Sequence, residues 1–453
     1  MRVLITCWPF TGHVHGQLSV ATALAARGHE VAFYTGVAAQ KAVADAGAFR
    51  VFPMRAVDEP AAARSVETLE LGRQSGHNDV RGLRRAFREW LVETIPGQIT
   101  DLQPILEEFA PDVIACDMSM WGPQLVLSGT SPVPVAVSST FLGPLVPGRD
   151  APPAGVGFPP PHGAAARLAY AGVLRLADLA AIGLRRRVDE IRASYGLGPL
   201  GCSVNEFTGR LPLYLVPSVR ELDYGRTDLP ASVHYVGPCN WQPARDRQIT
   251  SWLADIPSTR PWVHVTESTL RAGDPFLLKA AVAGLAGQPY EVIATTGQHR
   301  NPETMGLGPI ASNVHLTQWV NHEELLPRCS VVVTTGGAAT ITAALLAGAP
   351  MVVVPTTWDK PDNARRVVEA GAGVRLSPRK CTPESLQDAV QRVLQDTVMR
   401  QRARDMGARL AAAPGPNGAA ELLERLVETP RPAMEVVPSA RQNSSQPRMG
   451  SQR

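Results

Sequence analysis

Short runs of β-branched residues alternate with helix-patterned stretches along most of this chain, and this alternation constrains the fold more than any other feature. The second half of the chain repeats the alternation from about Trp262 onward. Such alternation is typical of parallel sheets covered by helices. We therefore predict an α/β protein with two similar Rossmann-like domains that face each other across a cleft. In the first half the strand candidates are residues 1–6, 30–35, 49–53, 112–116 and 133–137.

The predicted domain boundaries follow changes in composition. A polar, Pro-containing stretch begins at Cys239, and after Pro430 the chain is rich in Pro, Ser, Gln and Arg without periodicity. The first stretch is typical of a linker and the second of disorder. We predict an N-terminal domain, a linker, a C-terminal domain and a disordered tail, at residues 1–238, 239–260, 261–430 and 431–453.

Composition excludes several other classes of protein. With 44% hydrophobic residues, 19% charged residues and a net charge of +3, the chain is typical of a globular protein without affinity for nucleic acid. Its six cysteines form no CxxC pair, which argues against a disulfide framework or a zinc cluster. The first apolar run stops at Pro9, and no apolar run reaches membrane length. We expect a cytoplasmic protein with no integral membrane contact.

Two polar residues follow predicted strands of the first half, where parallel sheets place their ligands. His13 lies in TGHVHG after the first strand, and this turn is not GxGxxG, so no dinucleotide is expected there. An imidazole with a pKa of about 6.5 suits a general base, or else a histidine that only hydrogen-bonds the turn. Asp117, after the strand DVIAC, would orient that imidazole or cap the helix that begins near Met120.

The strongest local signal lies in residues 330–355, where a strand runs into Thr334-Thr335-Gly336-Gly337 and then into an Ala-rich helix. The amides at such a helix start bind anions, and a phosphate or pyrophosphate fits. The alternative is a glycine turn needed only for packing. After the next strand, Asp359 and Lys360 offer an acceptor and a donor for sugar hydroxyls, or else a solvated helix cap.

The usual ligands for a metal ion are missing from the sequence. No Asp-x-Asp motif occurs, and no group of His, Cys and carboxylate residues has metal-ligand spacing. We therefore expect no metal ion, and the charge of a bound diphosphate would be neutralised by a helix start and by side chains.

Together these stretches resemble the family-one glycosyltransferases of the GT-B fold, specifically the bacterial enzymes that glycosylate natural products such as antibiotics. The resemblance extends to about Pro430 and is most specific from Trp319 to Leu376. It implies inverting transfer of a sugar from a nucleoside-diphosphate sugar, a UDP or dTDP sugar, to a small-molecule aglycone. It implies no cofactor beyond this co-substrate.

The resemblance assigns a role to each matching residue. His13 corresponds to the catalytic base and Asp117 to the carboxylate that orients it, whereas His15 falls at a variable position and is expected to hydrogen-bond locally. On the donor side the ring of Trp319 is expected to stack on the nucleotide base. The implied donor-binding residues are Trp319, His322, Thr335, Gly336, Gly337, Thr340, Asp359 and Lys360.

Three positions depart from the family's pattern. Thr335 stands where a histidine contacts the pyrophosphate, Ala343 where a glutamate binds the ribose, and Lys360 where a glutamine reads the donor sugar. These departures leave open the identity of the donor, and with it a non-catalytic, sugar-nucleotide-binding or auxiliary homologue. A sugar-nucleotide 2-epimerase-like enzyme, which has the same two-domain architecture, is a further alternative.

The acceptor is expected on the N-terminal domain, in segments 54–77 and 141–200. Segments 54–77 and 141–163 fit neither pattern of secondary structure, and long irregular segments in α/β domains are often functional loops. Trp90, Trp121 and Phe141 are candidate apolar contacts for the acceptor, the alternative for each being a place in the core.

Overall fold

The computed structural model describes five ranges of the chain. The predicted tail and residues 243–250 of the predicted linker lie outside them, so the domain boundaries predicted from composition stay predictions. The described ranges are residues 1–74, 80–242, 251–267, 274–297 and 300–429.

The first half of the chain forms a sheet of seven parallel strands. They are β1 Arg2–Thr6, β2 Glu30–Thr35, β3 Arg50–Pro53, β4 Val113–Asp117, β5 Val135–Ser138, β6 Leu213–Val216 and β7 Val233–Tyr235. Their order is β3-β2-β1-β4-β5-β6-β7. β1 and β4 are neighbours although the chain first continues to β2, so the order reverses between them, which is where open α/β sheets bind ligands.

Nine helices accompany this sheet within the described residues. The first one ends where Gly28 takes a left-handed backbone with a φ of 82°, which confirms the sequence-based prediction of that helix end. The helices are α1 Thr11–Ala26, α2 Gln40–Ala46, α3 Glu59–Gln74, α4 Val80–Phe87, α5 Ile95–Phe109, α6 Ser128–Thr130, α7 Gly163–Ala180, α8 Ile182–Ser194 and α9 Val204–Gly209.

The second half forms a sheet of six parallel strands in the order β10-β9-β8-β11-β12-β13. The strands are β8 Trp262–Thr266, β9 Glu291–Thr295, β10 Val314–Thr317, β11 Cys329–Thr334, β12 Met351–Val353 and β13 Gly373–Arg375. The helices are α10 Phe276–Gly284, α11 His322–Leu325, α12 Ala338–Leu346, α13 Lys360–Glu369, α14 Pro383–Gln395, α15 Thr397–Ala412 and α16 Gly415–Glu428. The prediction of two parallel-sheet α/β domains is confirmed.

The last helix returns to the first sheet. Ala419, Ala420 and Leu423 of α16 are fully buried in the same apolar cluster as Val14 and Leu18 of α1. Burying a large apolar side chain such as that of Leu423 stabilises the folded state by roughly 1.5–3 kcal/mol. The two halves are therefore joined by packing at the end of the chain.

The two segments expected to be functional loops differ in outcome. Residues 141–162 lie outside any helix or strand, as predicted. Residues 54–77 were expected to be irregular, and this is wrong for α3, which occupies residues 59–74 of them. The helix forms because its sequence is rich in Ala, Leu and Glu, which favour helices, and because Ala62, Val66 and Leu69 recur with helical spacing and pack into the core.

Among the helices of the described ranges, none combines the length and the apolar character needed to cross a bilayer.

Candidate active site

The reversal of strand order in the first sheet brings His13 and Asp117 together. His13 lies in the first turn of α1, directly after β1, and Asp117 is the last residue of β4. These two strands pair in parallel, with Thr6 opposite Cys116. Their carboxyl ends therefore meet, and the two side chains are neighbours although 104 positions separate them.

The geometry of this pair fixes the imidazole. His13 Nδ1 lies 2.8 Å from Asp117 Oδ2. The side chain of Asp117 is fully buried, whereas that of His13 is 18% exposed. Since an ionised carboxylate only accepts, Nδ1 carries the proton and Nε2 is the nitrogen left to receive one.

Ser119 holds the other oxygen of the carboxylate. Asp117 Oδ1 accepts from the backbone amide of Ser119 at 2.8 Å and from its hydroxyl at 2.5 Å. Asp117 thus contacts the imidazole through one oxygen and closes the turn at Ser119 through the other. Its catalytic role stays a prediction. Ser119 was missed by the sequence analysis, and its position two residues after the aspartate was the available signal.

The pKa of His13 is raised above its ordinary value. Burial lowers this pKa, but the charge of Asp117 and its hydrogen bond raise it by more, and the charge of Asp359 adds to the effect. Asp359 precedes α13 of the second half, and burial raises the pKa of its own carboxyl. A carboxylate of the second domain is therefore one of the charges that raise the pKa of His13.

A row of aromatic rings runs from His13 towards the second domain. The Phe10 ring is centred 5.8 Å from the His13 ring and 6.2 Å from that of Trp90, which in turn lies 5.6 Å from Trp358. Trp90 is 5% exposed. Its side chain supports Phe10 beside the base, so the structure favours the core alternative over direct acceptor contact.

The other two candidate acceptor contacts differ in exposure. Trp121 is 9% exposed and packs against the ring of Phe87 at 6.2 Å, which also favours a place in the core. Phe141 is half-buried and begins the irregular segment that follows β5, with its backbone amide bonded to Ser139 Oγ at 3.1 Å. Phe141 remains a candidate contact. His15 faces away from the dyad, with its ring 5.1 Å from that of Trp241.

The glycine turn after β11 needs its first glycine. Gly336 has a φ of 94°, and a Cβ there would lie 3.0 Å from Val353 Cγ1. Beside Gly337 there is open space, since a Cβ added to it would meet only the Thr340 hydroxyl, at 4.0 Å. No side chain caps α12, whose first return hydrogen bond runs from Ile341 to the Gly337 carbonyl at 3.0 Å. The amides before that bond offer an anion site.

Thr335 is buried beneath the surface at which a phosphate would contact the start of α12. It is 1% exposed, whereas Gly337 and Thr340 are both half-buried beside the helix start. A diphosphate at α12 would therefore meet the backbone of the glycine turn first. The assignment of Thr335 to the donor site stays a prediction.

Asn363 links the glycine turn to Asp359. Its Nδ2 donates to the Gly336 carbonyl at 3.0 Å and to Asp359 Oδ2 at 2.7 Å, and the side chain is fully buried. Sequence analysis missed this residue. Its place one helical turn after Asp359 was the only signal, because the contact to the glycine turn is tertiary.

Two of the predicted donor-binding residues, Trp319 and His322, follow β10. Trp319 is half-buried, with its carbonyl oxygen accepting from Thr317 Oγ1 at 3.1 Å. His322 begins α11, and its ring is centred 5.2 Å from that of His264. Burial lowers the pKa of His322 to about 4 and that of His264 to about 3. Both imidazoles are therefore neutral at neutral pH, which suits an uncharged nucleobase.

Lys360 is buried. The alternative predicted from sequence, a helix cap with a solvated lysine, is therefore wrong for this residue. It is 5% exposed, and its ammonium lies 3.2 Å from the carboxylate of Glu70 in α3 of the first domain. Sequence analysis missed Glu70, because nothing local marks a residue whose partner lies 290 positions away.

Comparisons with known proteins show which family the chain belongs to. Residues 280–428 match the family model described as "Erythromycin biosynthesis protein CIII-like, C-terminal domain". Over 428 residues the chain is 33% identical to 4'-demethylrebeccamycin synthase of Lentzea aerocolonigenes, an alignment that covers 94% of this chain and 99% of that protein.

Two solved structures share the fold. The glycosyltransferase of kitacinnamycin has a TM-score of 0.71 at 22% identity, covering 94% of this chain and 98% of that one. A spinosyn rhamnosyltransferase complexed with thymidine diphosphate has a TM-score of 0.67 at 21% identity, covering 94% of this chain and all of that one. The chain belongs to the family-one glycosyltransferases of the GT-B fold, of the natural-product type.

Proposed function

We propose that this enzyme is an inverting glycosyltransferase that moves a sugar from a UDP or dTDP sugar to a hydroxyl, or another nucleophile, of a small-molecule natural product. The observation that carries the proposal is the hydrogen-bonded His13–Asp117 dyad at the carboxyl edge of the first sheet, from which a row of aromatic rings leads to Trp358 of the second domain. A base on one side and a donor site on the other are what transfer between two bound substrates requires.

The proposed step is a direct displacement. His13 Nε2 takes the proton of the acceptor hydroxyl, and the oxygen forms a bond to the anomeric carbon. The bond from that carbon to the phosphate oxygen breaks at the same time, and its electron pair leaves with the nucleoside diphosphate. Asp117 stabilises the imidazolium that results.

The leaving diphosphate is proposed to lie at the start of α12. Its developing charge would be stabilised by the amides after Gly336 and by the helix dipole, which need no reorganisation during the reaction. The thymidine diphosphate bound by the spinosyn rhamnosyltransferase supports a nucleoside-diphosphate ligand for the shared fold.

A panel of acceptors and nucleotide sugars, followed by mass spectrometry, tests the proposal. We expect a new species heavier than the acceptor by one sugar residue, with release of nucleoside diphosphate. An epimerised nucleotide sugar without glycoside would favour the epimerase alternative. Donor binding without either product would favour the non-catalytic one.

Transfer is expected to need no divalent cation. No group of three or more His, Cys, Asp or Glu residues suited to a metal ion occurs in the part of the chain that the structure describes. Initial rates in excess EDTA should therefore equal those with added Mg²⁺ within about twofold. A rate that collapses in EDTA and returns when Mg²⁺ is restored would contradict this prediction.

A further inference from the structure

Glu70 of the first domain has a buried carboxylate that contacts the proposed donor side of the second domain. It lies near the end of α3 and is 2% exposed. Its Oε2 accepts from the Thr357 hydroxyl at 2.5 Å and from Trp358 Nε1 at 2.6 Å. Its Oε1 accepts from Lys360 Nζ at 3.2 Å. All three donors belong to one short stretch, residues 357–360, which we call the donor loop.

The donor loop is held in an unusual conformation by these contacts. Trp358 has a φ of 59°, a left-handed backbone that few non-glycine residues adopt. Its indole is fixed at both ends, by Glu70 through Nε1 and by the ring of Trp90 at 5.6 Å. Glu70 is therefore a contact on which the conformation of this loop depends.

The loop adjoins the proposed binding site for the donor. The Lys360 carbonyl lies 3.3 Å from the position of a Cβ on Gly336, so the lysine backbone adjoins the glycine turn. Asp359, its neighbour, is linked to the Gly336 carbonyl through Asn363. A change of charge at Lys360 is consequently a change of charge beside the bound sugar.

The ion pair with Glu70 changes which donor sugar Lys360 favours. A lysine beside a sugar attracts an anionic donor, such as a hexuronate, when its charge is unopposed. Here the carboxylate of Glu70 cancels that charge within a buried ion pair, and the carboxylate of Asp359 is the remaining charged group of this set. A second carboxylate, carried in on the sugar, would be repelled.

We propose that Glu70 is a specificity-determining residue of the donor site, which cancels the charge of Lys360 so that the enzyme selects a neutral sugar over a hexuronate. This inference rests on the proposed function, because it assumes a nucleotide sugar at the glycine turn. It assigns donor selection to a residue of the domain that is expected to bind the acceptor.

Glu70→Gln is the first test, since the amide keeps the shape and one acceptor but removes the charge. Isothermal calorimetry measures the affinities of UDP-glucuronate, UDP-glucose and UDP, or of the thymidine series if the wild-type protein prefers it. We expect the affinity ratio of the uronate to the glucose donor to rise about tenfold or more. Affinity for the nucleoside diphosphate alone should stay within about threefold.

Glu67→Gln is the matched control, because Glu67 lies one turn earlier on the same helix and is exposed. It should leave the ratio unchanged. Lys360→Gln should move the ratio in the opposite direction, since it leaves Glu70 unpaired, and it serves as the test if Glu70→Gln fails to fold. The double variant Glu70→Gln/Lys360→Gln should return the ratio to near the wild-type value.

The outcomes separate this inference from the proposed function. Damage to folding alone would lower the affinities for all three ligands together and leave the ratio unchanged, which overturns the inference. A ratio unmoved in both single variants, with wild-type binding intact, also overturns it while the proposed function stands. Wild-type protein that binds no nucleotide sugar of either series would overturn both.

Discussion

We expect His13→Ala to lower kcat for glycoside formation by about 10²- to 10⁴-fold, the range found when a positioned general base is lost. The base acts on the acceptor, so donor affinity measured by calorimetry should stay within about threefold of wild type. The physical reason is geometric: His13 is fixed by Asp117 through Nδ1, with Nε2 left to take the acceptor proton. Steady-state rates at neutral pH, with saturating donor, give the measurement.

His15→Ala is the control for that experiment. His15 lies two residues later in the same helix and packs against Trp241 on the other side, so kcat should change by no more than about threefold. If His13→Ala retained most of its turnover at neutral pH, the imidazole would be a structural residue of the first turn of α1.

Asp117→Asn is expected to lower kcat by on the order of 10²- to 10⁴-fold, because an amide neither fixes the reactive tautomer nor stabilises the imidazolium. The pH profile should change as well. His13 must be neutral to act, so the rate falls as pH drops through its pKa. Asp117 raises that pKa and burial lowers it. Removing the charge therefore moves the acidic limb of the profile to lower pH.

Asp112→Asn tests whether the effect is specific to the dyad. Asp112 directly precedes β4, at the opposite end of the strand from Asp117, and is exposed. Its variant should keep both the rate and the acidic limb of wild type. An acidic limb that stays in place in Asp117→Asn would show that Asp117 does not set the titration of the base.

The parts of the fold predictable from sequence are those encoded locally. Buried parallel strands are nearly continuous runs of β-branched residues, as in Val331–Val333 of β11, and such runs are recognisable in the sequence. Once strand order is known, the carboxyl ends of β1 and β4 place His13 and Asp117 together. Helix α3 was missed because its sequence has helix-forming residues but a weakly amphipathic pattern.

The parts that could not be predicted depend on contacts between distant residues. Glu70 and Lys360 are 290 positions apart, and each sits in a segment where a charged residue is ordinary on a helix surface. The return of α16 to the first sheet depends on packing against α1, which its apolar positions do not specify. The sequence left Trp90 between acceptor contact and core, because its contacts with the rings of Phe10 and Trp358 are tertiary.

The anomeric configuration of the product is the most direct test of the central claim, that the His13 dyad drives a single displacement at the anomeric carbon. An α-configured nucleotide sugar is turned over with an accepted acceptor, and the anomeric coupling constant of the purified glycoside is read by nuclear magnetic resonance. The account predicts a β-glycoside, formed by wild-type protein and formed at least about 10²-fold more slowly by His13→Ala at equal protein concentration. An α-glycoside, or a β-glycoside formed equally fast without His13, would contradict it.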